Sequence, residues 1–375
     1  MMRRIKYIYE LSEWPNFTWN SNQLIDQLAA VRFKQARLIT EMGELGFPEK
    51  KEATLTILTT EVVKTSEIEG ENLDRDQVRS SIARHLGMET AAITKDSHVD
   101  GVVEMLLDAT QKYSDPLTPD RLFGWHSLLF PTGRSGMKKI KVGQWRDDAE
   151  DRMKVVSGPV GKEIVHYIAP EAIKLEKEID VFLRWFNNSG GTDDVLKAAI
   201  AHLWFVTIHP FEDGNGRIAR AIADMAMARS ENSSYRFYSI SEQIRKERTD
   251  YYDILGKTQK SNLDITRWIT WFLDCLDHAI DQSDVILARV LRKDAFWKNH
   301  RDSKINERQN LMLNKLLDGF EGKLTSSKWA GITKVSQDTA IRDINLLVER
   351  GILKKEDSGG RSTSYILIDP REDFD

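Results

Sequence analysis

The sequence predicts a mainly α protein, and three features carry that expectation. Apolar residues recur at three- and four-residue spacing through most of the chain up to about residue 291. Helix-start and helix-stop residues bracket those stretches. Only one long internal segment, PTGRSGMKKIKVGQWRDDAEDRMKVVSGPVGKEIVHYIAPEA, has the β-branched runs and glycine-proline turns of a hairpin. At 375 residues the chain exceeds one compact domain of about 150 residues, and 41% hydrophobic residues suffice for a sizeable core. We divide it at 1–115, 116–291 and 306–375.

Residues 21–46 read as a helix, opened by Asn20 or Ser21, carrying Leu24, Leu28, Val31, Leu38 and Leu45, and closed by Gly46. A second helix is expected from about Glu52 through Leu55, Leu58 and Val62 to a C-terminal glycine, Gly70. Further helices are expected over 73–86, 97–113 and 118–130, the last capped by Thr118 with Pro119 at its first position. Strands Lys154 to Val156 and Glu163 to Tyr167 form the hairpin. Helices resume at 170–187, 193–208, 217–229, 241–260 and 263–291, and the charged stretch WKNHRDSKINERQ separates a last domain starting near Asn306.

The net charge of −4 gives no whole-chain case for nucleic acid. The start, MMRRIKYIYELSEW, has no secretory apolar run, and no segment approaches the roughly 20 apolar residues of a membrane span, so a cytoplasmic protein without a membrane partner is expected. The single cysteine, Cys275, lies in an apolar helical pattern and excludes an intrachain disulfide; buried packing is its expected role.

Two short stretches carry charge on the wrong helix end. TSEIEGE, residues 65–71, closes a helix with glutamates, although a carboxylate there is repelled by the macrodipole, by up to about 1 kcal/mol. Glu69 continues the line of Leu55, Leu58 and Val62 and should point where they point. Something positive must meet it. In HPFEDGNGRIAR, residues 209–220, a helix stops at His209-Pro210 and another starts with Arg217 and Arg220 in its first turn. Gly214 and Gly216 flank Asn215, so backbone N–H groups can form a nest for an anion at that helix start. Two arginines added to the nest suit a polyphosphate, and their spacing of three puts them on one face. Asp213 is a hard oxygen ligand where Mg2+ bridging two phosphates would sit. His209 can accept a proton near neutral pH at the mouth of the loop, and Phe211 should plug the loop into the core. Each of these residues alone is usually structural; the coincidence is what carries the reading.

The stretch from His209 to Arg220 matches every fixed position of His-x-Phe-x-Asp/Glu-Gly-Asn-Gly-Arg-x-x-Arg, and so resembles the Fic domain family. TSEIEG matches the Ser/Thr-x-x-x-Glu-Gly/Asn pattern of the subclass with an N-terminal inhibitory helix, which marks Thr65, Glu69 and Gly70. GQWR at 143–146 and RTDYYDIL at 248–255 look like Fic core elements in order. The resemblance implies a Fic-type helical bundle with a β-hairpin flap, and an adenylyltransferase that moves AMP from ATP to a Ser, Thr or Tyr hydroxyl of a target protein, or of itself, releasing pyrophosphate. It implies His209 as general base and Asp213 as the Mg2+ ligand. Gly214, Asn215 and Gly216 would hold the α-phosphate region, Arg217 the β-phosphate and Arg220 the γ-phosphate. Val155, Val156, Ser157 and Gly158 would form the flap, with Tyr251, Tyr252 and Gln259 near base and ribose. In the family the inhibitory glutamate pairs with the second arginine, so Glu69 would meet Arg220 and stand in for the γ-phosphate.

The C-terminal segment resembles a winged helix, with Ser336 to Arg350 as recognition helix and a wing near glycines 359 and 360. Lys328, Lys334, Arg342, Lys354, Lys355 and Arg361 could contact DNA phosphates, diluted by Asp338, Asp343 and Glu349; protein docking is the other use. A nucleotide-sensing, DNA-associated regulator is therefore a second function class, with de-adenylylation or transfer of another nucleotide as enzymatic variants. The sensor has no use for His209. Target protein and assembly, including a homodimer, are left open.

Overall fold

The computed structural model describes residues 6–88, 96–148, 152–159, 161–188, 190–320, 322–356 and 363–368. The fold is mainly α, with a few short strands among the described residues. The chain divides into two compact units, Met1–Asp284 and Val285–Asp375.

In the first unit, helix α1 (Ser21–Gly43) opens on Asn20, whose side chain accepts the N–H groups of Asn22 and Gln23. It stops short of Gly46, because Gly46 belongs to the next element as the N-cap of α2 (Phe47–Ile68). The expected line Leu55, Leu58 and Val62 is buried, but so are Thr54, Thr59, Thr60 and Glu61. A single apolar stripe was too narrow a description: α2 is enclosed on nearly all sides. Two of its polar groups are satisfied on the helix itself, since Thr59 and Thr60 donate to the carbonyls of Leu55 and Thr56 at 2.6 and 3.1 Å. Glu61 accepts Ser239 Oγ at 2.6 Å and the Ser241 N–H at 3.1 Å.

Helices α3 (Arg75–His85), α4 (Ser97–Gln111) and α5 (Pro119–Leu129) follow, capped by Asp74, Asp96 and Thr118. A two-residue ladder, β1 (Arg134–Ser135) with β2 (Lys138–Lys139), precedes the hairpin β3 (Lys154–Ser157) and β4 (Ile164–Ile168). In the hairpin Val155 faces Tyr167 and Val156 faces Val165, with an irregularity between the two valines. Then come α6 (Leu175–Asn187) and the central pair α7 (Asp194–Ile208) and α8 (Asn215–Glu231). Every residue of α7 from Val195 onward is buried, as a helix apolar all round must be. The expected helix over 241–260 is two, α9 (Ile240–Lys246) and α10 (Arg248–Gln259), and α11 (Thr266–Asn299) runs beyond residue 291. Cys275 is a buried free thiol.

The second unit holds α12 (Glu307–Leu317), α13 (Ser326–Thr333), α14 (Gln337–Glu349) and the antiparallel pair β5 (Leu353–Lys355) and β6 (Tyr365–Leu367). Met312, Leu313, Trp329, Ile344 and Leu347 fill its core. Lys328, Lys334 and Arg342 are exposed, whereas Asp343 is 3% exposed and takes bonds from Arg308 at 2.7 and 3.0 Å. Asp343 is thus spent internally and does not dilute the surface charge as expected. Gly359, Gly360 and Arg361 lie outside the described residues. Among the described residues no helix is long and apolar enough to cross a membrane.

Candidate active site

The loop between α7 and α8 is built from inside. Helix α7 ends on His209, which takes a left-handed conformation, φ 51° and ψ 59°, uncommon for a residue with a side chain. Arg146 holds it there: its Nε donates to the His209 carbonyl at 2.8 Å and its backbone N–H to the Pro210 carbonyl at 2.9 Å. The same guanidinium reaches the Pro170 carbonyl at 2.6 Å and Asp148 at 2.8 Å, and Arg146 is 3% exposed. Phe211 is buried, stacked on His126 with centroids 4.2 Å apart. Asn215 is tied to Phe211 at both ends of its amide, accepting the Phe211 N–H at 3.0 Å and donating to its carbonyl at 2.8 Å. Asn215 therefore shapes the loop.

His209 carries its proton on the inner nitrogen. Nδ1 lies 3.2 Å from the Val206 carbonyl, so Nδ1–H donates and Nε2 keeps its lone pair. Burial pushes its pKa down to about 4, with Arg146 adding to that and the Val206 carbonyl, Asp213 and Glu69 opposing it. The ring is neutral at pH 7, as a proton acceptor must be. Asp213 receives the Gly214 N–H on Oδ1 at 2.6 Å and the Ser135 hydroxyl on Oδ2.

Arg220 and Glu69 meet: Nη2 lies 2.7 Å from Glu69 Oε1. Arg220 also donates from Nε to the Thr65 hydroxyl at 2.7 Å and from Nη2 to the Thr65 carbonyl at 2.9 Å. Burial pulls the Arg220 pKa down, but Glu69 holds it above the ordinary arginine range. The carboxylate also lies directly over Gly216, where any Cβ would collide with Glu69 Oε1. Glu69 thus fills the cradle that the glycines and Arg220 form.

Residues 116–227 match the Fic/DOC family, and residues 7–88 match a domain of unknown function, DUF4172. The chain carries a Fic domain. It is 25% identical over 224 residues to a protein named protein adenylyltransferase Fic from Aedes aegypti, covering 57% of this chain and 39% of that one. A 65-residue stretch is 43% identical to protein adenylyltransferase fic-1 of Caenorhabditis briggsae, covering 17% of this chain and 12% of that one. The match to the first of these relatives thus spans well under half of its length. A Fic family protein from Desulfovibrio desulfuricans aligns over 94% of this chain and 98% of its own, with TM-score 0.51 and 18% identity. A Fic domain containing signaling protein from Bacteroides thetaiotaomicron covers 70% of this chain and 97% of its own, with TM-score 0.51 and 19% identity. At that identity the structural likeness shows the fold alone.

Around the Fic loop, the other expected residues divide into two groups. Tyr251 is buried beside Arg220, its hydroxyl 3.0 Å from His202 Nε2, and burial raises its pKa. Tyr252 is 42% exposed under the Arg248 guanidinium, 5.4 Å from its ring centre. Gln259, by contrast, is 3% exposed and bonded to Thr207 Oγ1 at 3.3 Å, inside the helix packing. In the flap, Val155 packs against the cluster of Tyr7, Tyr167 and Ala169, whereas Val156 is exposed and Ser157 Oγ lies 2.6 Å from His166 Nε2. Gly158 has φ +100° at the turn.

Sequence reasoning missed two sets of residues. Tyr7 and Tyr9 brace the flap from the N-terminal segment, with Tyr9 donating to the Ile168 carbonyl at 2.8 Å. No local pattern announces a contact across 159 residues. Glu71 bonds Arg217 Nη1 at 2.6 Å and His98 Nε2 at 3.2 Å. The signal was present in TSEIEGE, whose last glutamate is as misplaced as Glu69. Burial pushes the Glu71 carboxyl up, but His98 and Arg217 together hold it below its usual range. The bond to Glu71 raises His98 against burial.

Proposed function

We propose that this Fic protein is an autoinhibited protein adenylyltransferase that uses ATP. The observation that carries the reading is the Glu69–Arg220 pair at 2.7 Å over Gly216, beside a neutral His209 whose Nε2 is free to take a proton. In the reaction, a hydroxyl oxygen of a target protein forms a bond to the α-phosphorus, and the bond from that phosphorus to the bridging oxygen breaks. Pyrophosphate leaves, and the hydroxyl proton passes to His209 Nε2. Arg146 keeps the ring turned to the cradle through the His209 carbonyl. The N–H groups of the glycine nest and Arg217 and Arg220 bind and orient the polyphosphate, and positioning of this kind supplies most of the catalysis in such transfers.

Mg2+ fits the single carboxylate of Asp213. Among the described residues no cluster of three or more potential ligands surrounds it, but Mg2+ takes one or two carboxylates and completes its shell with phosphate oxygens and water. When bound, the ion neutralises charge on the phosphates. The exposed Val156 and Val165 of the flap offer an edge to which a target segment could add as a strand. Lys328, Lys334 and Arg342 are exposed, and we propose them as DNA-phosphate contacts of the second unit; a steep salt dependence of binding would support that over protein docking.

With Glu69 on Arg220, ATP cannot place its terminal phosphate, and the α-phosphorus is out of line. The test is incubation with labelled ATP. Glu69→Gly should raise self-labelling or target labelling about tenfold or more, and His209→Ala in that background should remove it by about a hundredfold or more. An unchanged Glu69→Gly protein would sink the inhibitory assignment.

A further inference from the structure

Both arginines of the loop are occupied, not one. Helix α2 closes with a left-handed Gly70, φ +85°, the Gly70 N–H bonding the Glu67 carbonyl at 3.1 Å and the Glu71 N–H the Ser66 carbonyl at 3.0 Å. That turn throws Glu71 back over α8, where its Oε2 meets Arg217 Nη1 at 2.6 Å. His98, in the first turn of α4, reaches the same oxygen from the other side at 3.2 Å. Two carboxylates, two residues apart on one turn, therefore neutralise the two arginines of the cradle.

The two halves of each pair differ in freedom. The side chains of Arg217 and Arg220 are 1% and 3% exposed, while those of Glu71 and Glu69 are 35% and 29% exposed. A carboxylate at the edge can swing into water without leaving a buried charge of its own; the arginines have nowhere to go. Arg217 Nε and Arg220 Nη1 are buried without a hydrogen-bond partner, so each guanidinium keeps a donor that its glutamate does not use. Such spare donors, side by side on one face of α8, fit an anion with more oxygens than one carboxylate provides.

Resting on the reading that the cradle takes a nucleotide polyphosphate, we infer that Glu71 is a second carboxylate lock, holding Arg217 as Glu69 holds Arg220, so that the nucleotide must displace both. Removing Glu69 then releases only half of the site. The consequence falls on affinity, because Arg217 is a binding group and Glu71 competes with phosphate for it.

The experiment uses the full chain and titrates ADP with Mg2+ by calorimetry, alongside rates against ATP concentration. In the Glu69→Gly background, adding Glu71→Gln should tighten ADP and lower the ATP KM by about five- to tenfold, the effect of deleting one charge near a phosphate at a partly exposed site. Glu71→Ala should do the same. Both gains should vanish when Arg217 is also replaced by alanine. Unchanged or weaker ADP binding in Glu69→Gly/Glu71→Gln would overturn the lock, with weakening marking Glu71 as a support that positions Arg217. Loss of ADP and ATP binding in every variant would overturn the lock together with the nucleotide reading beneath it, a result distinct from a Glu71 change that leaves measurable binding unaltered.

Discussion

The C-terminus of α2 and the N-terminus of α8 are mirror images in charge and opposites in construction. Each places charge against its own helix dipole, carboxylates at the negative end of one and guanidinium groups at the positive end of the other. Facing each other, the two ends cancel what each would lose alone. Their surroundings differ, however. Gly214, left-handed at φ +79°, is pressed against Phe130 and Leu129, whereas Gly70, left-handed at φ +85°, has nothing within 4 Å of where a Cβ would stand. The α8 end is cast into the core and the α2 end is laid over it. A rigid cradle with a looser stopper is what an inhibited site needs if it is to be opened without being unmade.

The largest effect should follow from breaking the rigid side. In Gly214→Ala the new Cβ must share space with the Phe130 ring, 2.9 Å away, in a backbone conformation that alanine resists. Strain of about 1–2 kcal/mol and overpacking of about 1–3 kcal/mol predict a loss near 3 kcal/mol in urea unfolding. A loss under about 1 kcal/mol would mean that the loop yields, and the contrast between the two ends would disappear.

Next comes the bond that joins them. Thr65→Val keeps shape but removes the hydroxyl that accepts Arg220 Nε at 2.7 Å, leaving a buried charged donor short of an acceptor. The expected cost is about 2 kcal/mol. Arg220 would also be held less firmly by α2, so labelling with ATP should rise, though by less than in Glu69→Gly. A stability loss with no rise in labelling would assign Thr65 to packing alone.

How far this was readable beforehand depended on where each partner lay. The turn at His209-Pro210, the glycine nest and Phe211 stand out in sequence because their residue types and spacing fall within a dozen positions, although Arg146, His126 and Phe130 hold them from farther along the chain. The pairing of Glu69 with Arg220 spans 151 residues, and it was reachable because each side was locally unfavourable and pointed to a missing opposite charge. Arg146 gave no such sign: an arginine before a turn is ordinary, and only the fold brings it to the His209 carbonyl. Helix α2 was read as one stripe because its buried threonines look polar in sequence, while in the structure Thr59 and Thr60 satisfy themselves on their own helix. The start of α2 at Phe47 was missed because Gly46, read as the stop of α1, is the cap of α2, and α11 was read too short because it continues past residue 291 to Asn299, inside the charged stretch.

The smallest effect belongs to the loose side, and it is the sharpest probe of the comparison. Gly70→Ala meets no atom, so the expected cost is only that of a left-handed alanine, about 1 kcal/mol. The same turn, however, directs Glu71 toward Arg217 through the Glu71 N–H bond to Ser66. If alanine relaxes the turn, Glu71 loses its aim while Glu69, one residue earlier on the helix, keeps Arg220. ADP binding should then tighten by a few-fold at little cost in stability, the reverse of the pattern expected for Gly214→Ala. Equal destabilisation by the two substitutions would show that the α2 end is as firmly cast as the α8 end, and that opening the site requires more than the departure of two side chains.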